Sequence, residues 1–108
     1  MTTTTIATDQ PLATLINVFT VAPEAQRSLL DLLIEATELV IRHQPGFISA
    51  NLHASLDGTH VVNYAQWRTP EDLRAMLAHP AAREHIAAAG ALATAEPHLY
   101  EVVSIHRA

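Results

Sequence analysis

Residues 47–67 read FISANLHASLDGTHVVNYAQW. Two β-compatible runs flank Asp57-Gly58, the pair favoured at the centre of a two-residue hairpin turn, where both central residues take positive φ. In the first run Ile48, Ala50, Leu52, Ala54 and Leu56 alternate with Ser49, Asn51, His53 and Ser55, the period of a half-buried strand. In the return run Val61, Asn63, Ala65 and Trp67 share one face, and His60, Val62, Tyr64 and Gln66 share the other. His53 and His60 sit on opposite arms of this hairpin and are candidates for cross-strand neighbours. Neither face is purely apolar.

Working outward, LATLINVFTV (12–21) is an apolar, β-branched strand whose Leu15, Asn17, Phe19 and Val21 share a face. Asn17 is then a polar group among apolar neighbours. Pro23 and Glu24 open a helix, carried by Leu29, Leu32, Leu33, Ala36, Leu39 and Val40, and expected to end near His43, which caps it ahead of Pro45 and Gly46. Beyond the hairpin, Thr69 reads as an N-cap, Pro70 as the first helical residue, and Asp72 as a partner in a capping box. Leu73, Met76 and Leu77 form its buried stripe. Pro80 begins a further short helix expected to stop near Gly90, followed by a loop over 91–97 and a last strand in HLYEVVSIH (98–106). The Thr-rich residues 1–11 read as a flexible arm and 12–108 as one domain.

The order β, α, β, β, α, β predicts an α+β, ferredoxin-like βαββαβ domain: a four-stranded antiparallel sheet with helices on one face. The chain has no spare element for the opposite face, and apolar residues occur on both faces of several strands. A homodimer closing sheet against sheet meets that demand.

Length and composition exclude much. The 108 residues fit a single core, and 49% hydrophobic residues are too many for a disordered chain. Six arginines and no lysine stand against eleven acidic residues, for a net charge of -5, which argues against nucleic acid and anionic membranes as partners. Cysteine is absent, so disulfides, thiolate nucleophiles and Cys-ligated metal sites are excluded. With no leader-like N-terminus and no long apolar run, a cytoplasmic location is expected. Seven histidines raise the question of a metal, but none are spaced as HxxxH or HExxH, and no metal is expected. His85, five residues past Pro80, is a candidate to face a cleft as acid, base or ligand. Glycine-rich nucleotide loops and GxSxG are also missing. What remains is Asn63 and Trp67, on one strand face, with Tyr64 across the pleat: a carboxamide able to hold a developing oxyanion beside an aromatic plane able to hold a planar ligand. Asn17 would add a second amide if the strand register brings it there.

The stretch from Gly46 to Trp67, with its GF start, the HAS-x-DGT hairpin and the NYAQW strand, closely resembles the antibiotic biosynthesis monooxygenase family, and especially the small quinone-forming monooxygenases of aromatic polyketide pathways in actinomycetes. The resemblance extends more weakly over about residues 14–106. It implies a ferredoxin-like dimer forming an α+β barrel. It also implies oxidation of an anthrone-type carbon in a polycyclic aromatic molecule to a quinone by O2, with no cofactor. On that resemblance Asn63 and Trp67 match the asparagine and tryptophan kept at the substrate and Tyr64 matches the adjoining tyrosine, which makes these three the expected catalytic residues. Asn17, Leu73, Met76, Arg83 and His85 become candidate substrate-binding positions. Leu73 stands where those enzymes carry a tyrosine, and Arg83 is out of phase with their helix arginine. Two alternatives remain. Haem-binding or haem-degrading relatives share an asparagine like Asn17 and a histidine like His85, although Met76 replaces their tryptophan. The other is a non-catalytic dimer that binds aromatic ligands.

Overall fold

The computed structural model describes residues 2–108. In chain order it contains β1 (Ala13–Val21), a 3-10 turn (Pro23–Ala25) leading into α1 (Gln26–Leu39), a second 3-10 turn (Ile41–His43), β2 (Phe47–Ala54), β3 (His60–Trp67), α2 (Pro70–Ala78), α3 (Pro80–Leu92) and β4 (Ala93–Tyr100). The strands form one antiparallel sheet in the order β2-β3-β1-β4. This is the ferredoxin-like α+β arrangement, with the hairpin on one side of β1 and the last strand on the other.

The helices pack on the face carrying Ala13, Leu15, Phe19 and Val21 of β1 and Val61, Ala65 and Trp67 of β3. Two linked clusters form the core. One gathers Trp67, Ala13, Ala65, Leu73, Met76 and Ala82; the other gathers Phe19, Val21, Leu29, Leu30, Val61 and Ala89. Trp67, Leu29 and Val61 are the largest fully buried side chains. Each contributes roughly 1.5–3 kcal/mol by leaving water. Phe47 meets Trp67 edge-on, with ring centroids 5.4 Å apart.

The hairpin departs from the expected turn. Gly58 has φ +81, but no non-glycine residue has positive φ, so Asp57 does not take the conformation a two-residue turn demands. The Asp57 carboxylate instead accepts from Ser55 Oγ, Thr59 N and Thr59 Oγ1 at 2.8, 3.0 and 2.7 Å, which holds a wider loop over 56–59. The pairing stays centred on Asp57-Gly58: Ser55 N donates to His60 O and His53 lies opposite Val62, so His53 and His60 are not the cross-strand neighbours expected of them. A register shift between Phe47 and Ser49 turns Ile48 outward, 41% exposed, while Phe47 faces the core in its place.

Helix ends also differ from expectation. α1 stops at Leu39, because Val40 leaves helical geometry (φ -127, ψ -59), and the 3-10 turn follows. The His43 ring reaches back to Glu38 O at 3.1 Å, the capping role expected of it. Thr69 Oγ1 accepts from Asp72 N at 3.0 Å and caps α2. α3 runs through Gly90 to Leu92 and enters β4 directly, so residues 93–97 are strand rather than loop, and 101–106 carry no regular structure. Pro97 had suggested a loop. It is accommodated because β4 is an edge strand bonded only to β1.

The second sheet face carries Thr14, Ile16 and Val18 of β1, Ser49 and Asn51 of β2, and Val62, Tyr64 and Gln66 of β3. Contrary to expectation, the chain itself covers one end of this face. Thr4 Oγ1 donates to Asn51 Oδ1 at 2.7 Å, and the buried Gln66 donates through Nε2 to Thr5 O at 2.7 Å. No helix among the described residues is long and apolar enough to cross a membrane.

Candidate active site

Strand register answers the question left open by the sequence. Asn17 and Asn63 are directly paired across β1 and β3, in the middle of the helix-facing side of the sheet. Leu52 flanks Asn63 on β2, and Pro97 flanks Asn17 on β4, so the two carboxamides interrupt an otherwise apolar row. Both Oδ1 atoms are buried and have no hydrogen-bond partner. An unmet buried polar atom costs about 1–3 kcal/mol. Two of them side by side mark a place where a ligand completes the bonding. Half a turn of either amide exchanges O for NH2, so each can offer an acceptor or a donor.

Over β1 and β4 the helices leave a cavity of ≈ 470 Å³. Its floor is Leu15, Asn17 and Phe19 with Ala95, Pro97 and Leu99; its walls are Leu33 and Ala36 of α1, Leu73 and Leu77 of α2, and His85, Ile86 and Ala89 of α3. The volume lies within the roughly 300–1,000 Å³ of small-molecule sites, and an apolar lining with few polar groups is the usual character of such sites. His85 Nδ1 lies 3.0 Å from Ala81 O, one helical turn back.

The structure separates the sequence candidates. Asn17, Leu73 and His85 line the cavity, and Asn63 adjoins it beside Asn17. Trp67 and Met76 are buried in the core cluster with Leu73 and packed against Leu15, behind the cavity wall. Tyr64 lies on the other sheet face, opposite Ile16, where its hydroxyl is buried without a partner. Arg83 is exposed on α3 and does not line the cavity. Arg74, absent from the sequence reading, reaches the rim from α2; its i,i+3 spacing to Glu71, 3.4 Å away, disguised it as an ordinary surface ion pair. The wall from β4 was also missed, because the strand was placed too late in the chain. Among the described residues no group of His, Asp, Glu or Cys is arranged to hold a metal ion.

Residues 13–88 match the family model described as antibiotic biosynthesis monooxygenase. The chain belongs to the antibiotic biosynthesis monooxygenase family. It is 57% identical over 81 residues to tetracenomycin-F1 monooxygenase of Streptomyces glaucescens, covering 75% of this chain and 72% of that one. A monooxygenase from the gene ActVA-Orf6 of Streptomyces coelicolor, solved with the ligand nanaomycin D, superposes with a TM-score of 0.79 at 31% identity, over 89% of this chain and 91% of that chain. SnoaB, a cofactor-independent oxygenase from Streptomyces nogalater, gives a TM-score of 0.70 at 29% identity, over 88% and 96%. The chain is thus a monooxygenase, of the group that includes cofactor-independent oxygenases.

Proposed function

We propose that this monooxygenase oxidises an anthrone-like or hydroxylated polycyclic aromatic polyketide intermediate to a quinone with O2, as a homodimer and with no flavin, haem or metal. The observation that carries the reading is the pair of unpartnered carboxamides, Asn17 lining an apolar cavity of ≈ 470 Å³ and Asn63 paired with it on the next strand. A flat, largely apolar molecule with one or two oxygen atoms on its edge matches both features. The names of the tetracenomycin and nanaomycin relatives support a polycyclic aromatic substrate.

The chemistry follows from the electron-rich substrate. Loss of a proton gives an enolate, whose oxygen one amide NH2 holds by hydrogen bonding in a site with little water. The enolate passes one electron to O2. Recombination of the substrate radical with superoxide forms the new C–O bond, and the resulting hydroperoxide loses water to leave the quinone carbonyl. A CH2 group and O2 become C=O and H2O, so the substrate supplies all the electrons. Trp67, packed with Leu73 and Leu15, holds that end of the site rigid and supports the bound ring system. Tyr64, on the other face of β3, makes no contact with the same ligand; its free hydroxyl belongs with Ile16, Val18 and Val62 on the face that a second copy would cover.

Oxygen uptake by metal-free protein with a panel of anthrones and hydroxynaphthacenes tests the reading. Turnover is expected in the wild type, with large losses in N63A and W67F. Full turnover in both variants would remove the assigned roles.

A further inference from the structure

Removal of a substrate proton needs an acceptor, and the cavity offers few. We propose that His85, through Nε2, is the group that takes this proton; the inference rests on the anthrone-oxidation reading above.

Hydrogen bonding sets the tautomer. The partner of His85 Nδ1 is a carbonyl, Ala81 O at 3.0 Å, and a carbonyl only accepts. Nδ1 therefore carries the hydrogen, and the neutral ring keeps its lone pair on Nε2. The neighbouring His79 shows the contrast: its Nδ1 accepts from Ala81 N at 3.2 Å and holds the start of α3. His85 falls on the inward stripe of α3, three residues after the buried Ala82 and four before the buried Ala89, so the helix presents it to the cavity.

The competing groups are few. α1 contributes only apolar side chains to the cavity, from Leu33 and Ala36, while its acidic residues lie on the exposed side. α2 contributes Arg74, a permanent cation already 3.4 Å from Glu71. β4 contributes His98, but register places it opposite Ile16, on the other face of the sheet, with its ring 3.6 Å from Glu96. Neither Asp, Glu, Lys, Cys nor Tyr lines the cavity among the described residues. His85 is the base that faces the helix side of the sheet.

In the step, the substrate C–H bond breaks and an N–H bond forms on Nε2, while the electron pair moves through the ring onto the substrate's carbonyl oxygen, which becomes the enolate oxygen held by the amides. After O2 has taken one electron and the radicals have joined, the same proton returns to the peroxide oxygen. The hydroperoxide then loses water, and His85 ends neutral as it began.

Two measurements test this. The first is deuterium exchange into the acidic methylene of an anthrone under strictly anaerobic conditions, followed by proton NMR. Wild-type protein is expected to accelerate exchange. H85Q is expected to lose about 10²-fold or more, with little change in anthrone binding read from Trp67 fluorescence. Exchange unaffected by H85Q, or no acceleration by the wild type, overturns the proposal. Because O2 is excluded, His85-dependent exchange without subsequent oxygen consumption would uphold the base and sink the oxidation reading instead. The second needs no variant: nitrogen-15 shifts of the His85 ring are expected to show hydrogen on Nδ1, and a ring carrying it on Nε2 overturns the assignment.

Discussion

Asn17 and Asn63 stand in the sheet where Leu or Val would pack without penalty, and their oxygens go unpaired. Such positions trade stability for binding. N63A is therefore expected to lower kcat/KM for anthrone oxidation by about 10²–10³-fold, the usual effect of removing one oxyanion donor. Its thermal midpoint should stay level or rise, because an unsatisfied oxygen costing about 1–3 kcal/mol disappears with the side chain. A paired loss of activity and of several degrees in midpoint would instead indicate a structural asparagine. Asn17 and Asn63 are directly paired, so the effects of N17A and N63A should be coupled and their combination should cost less than the product of the two. Asp57 offers a residue-scale test unrelated to catalysis. Bonds from Thr59 N, Thr59 Oγ1 and Ser55 Oγ pull its pKa from 3.8 down to about 2. Since the folded value is the lower one, its stabilisation is complete above the unfolded pKa and is lost as pH falls toward about 2. Urea titrations should find D57N less stable than wild type at neutral pH, with the gap closing over that acid interval.

At the scale of elements, the turn into the hairpin is less tolerant than the turn inside it. Gly46 has φ +83, its carbonyl accepts from Arg68 N at 2.7 Å, and a Cβ there would collide with the Asp72 carboxyl. Gly58 has φ +81 but would meet only Pro23 Cβ at 3.5 Å, an ordinary contact. G46A is expected to lose clearly more than the roughly 1–2 kcal/mol of backbone strain, and G58A about that amount, in equilibrium denaturation. T69A, which removes the cap of α2, should cost about 1 kcal/mol. The same elements show what the sequence could express. Strand alternation, the proline starts of α2 and α3 and the Thr69 cap are local signals, and all are seen. The hairpin turn was misread because Asp57 satisfies its surroundings with its carboxylate, not with its backbone. β4 was placed late because Pro97 marks a loop in isolation, and only its edge position explains its place in a strand. The pairing of Asn17 with Asn63 could not be read at all: register between strands far apart in sequence is set by tertiary packing.

For the whole molecule, the remaining question is the sheet face away from the helices. The N-terminal arm satisfies Gln66 and Asn51 at one end, leaving Ile16, Val18 and Val62 beyond it. A second copy laid on this patch would bury it, so sedimentation should find a dimer for the wild type and a monomer for V62D, which places a charge in the contact. The cavity lies on the opposite face, so the domain can use one side of its sheet for assembly and the other for chemistry. Oxidation of a polycyclic aromatic molecule with O2 and nothing else can be read in one measurement: turnover of an anthrone by metal-free protein under oxygen-18 gas, with mass analysis of the quinone. One O2 consumed per quinone and one oxygen-18 atom in the new carbonyl are expected, with the rate falling about 10²–10³-fold in N63A. A quinone formed without the label, or formed only after flavin, haem or metal is added, would contradict it.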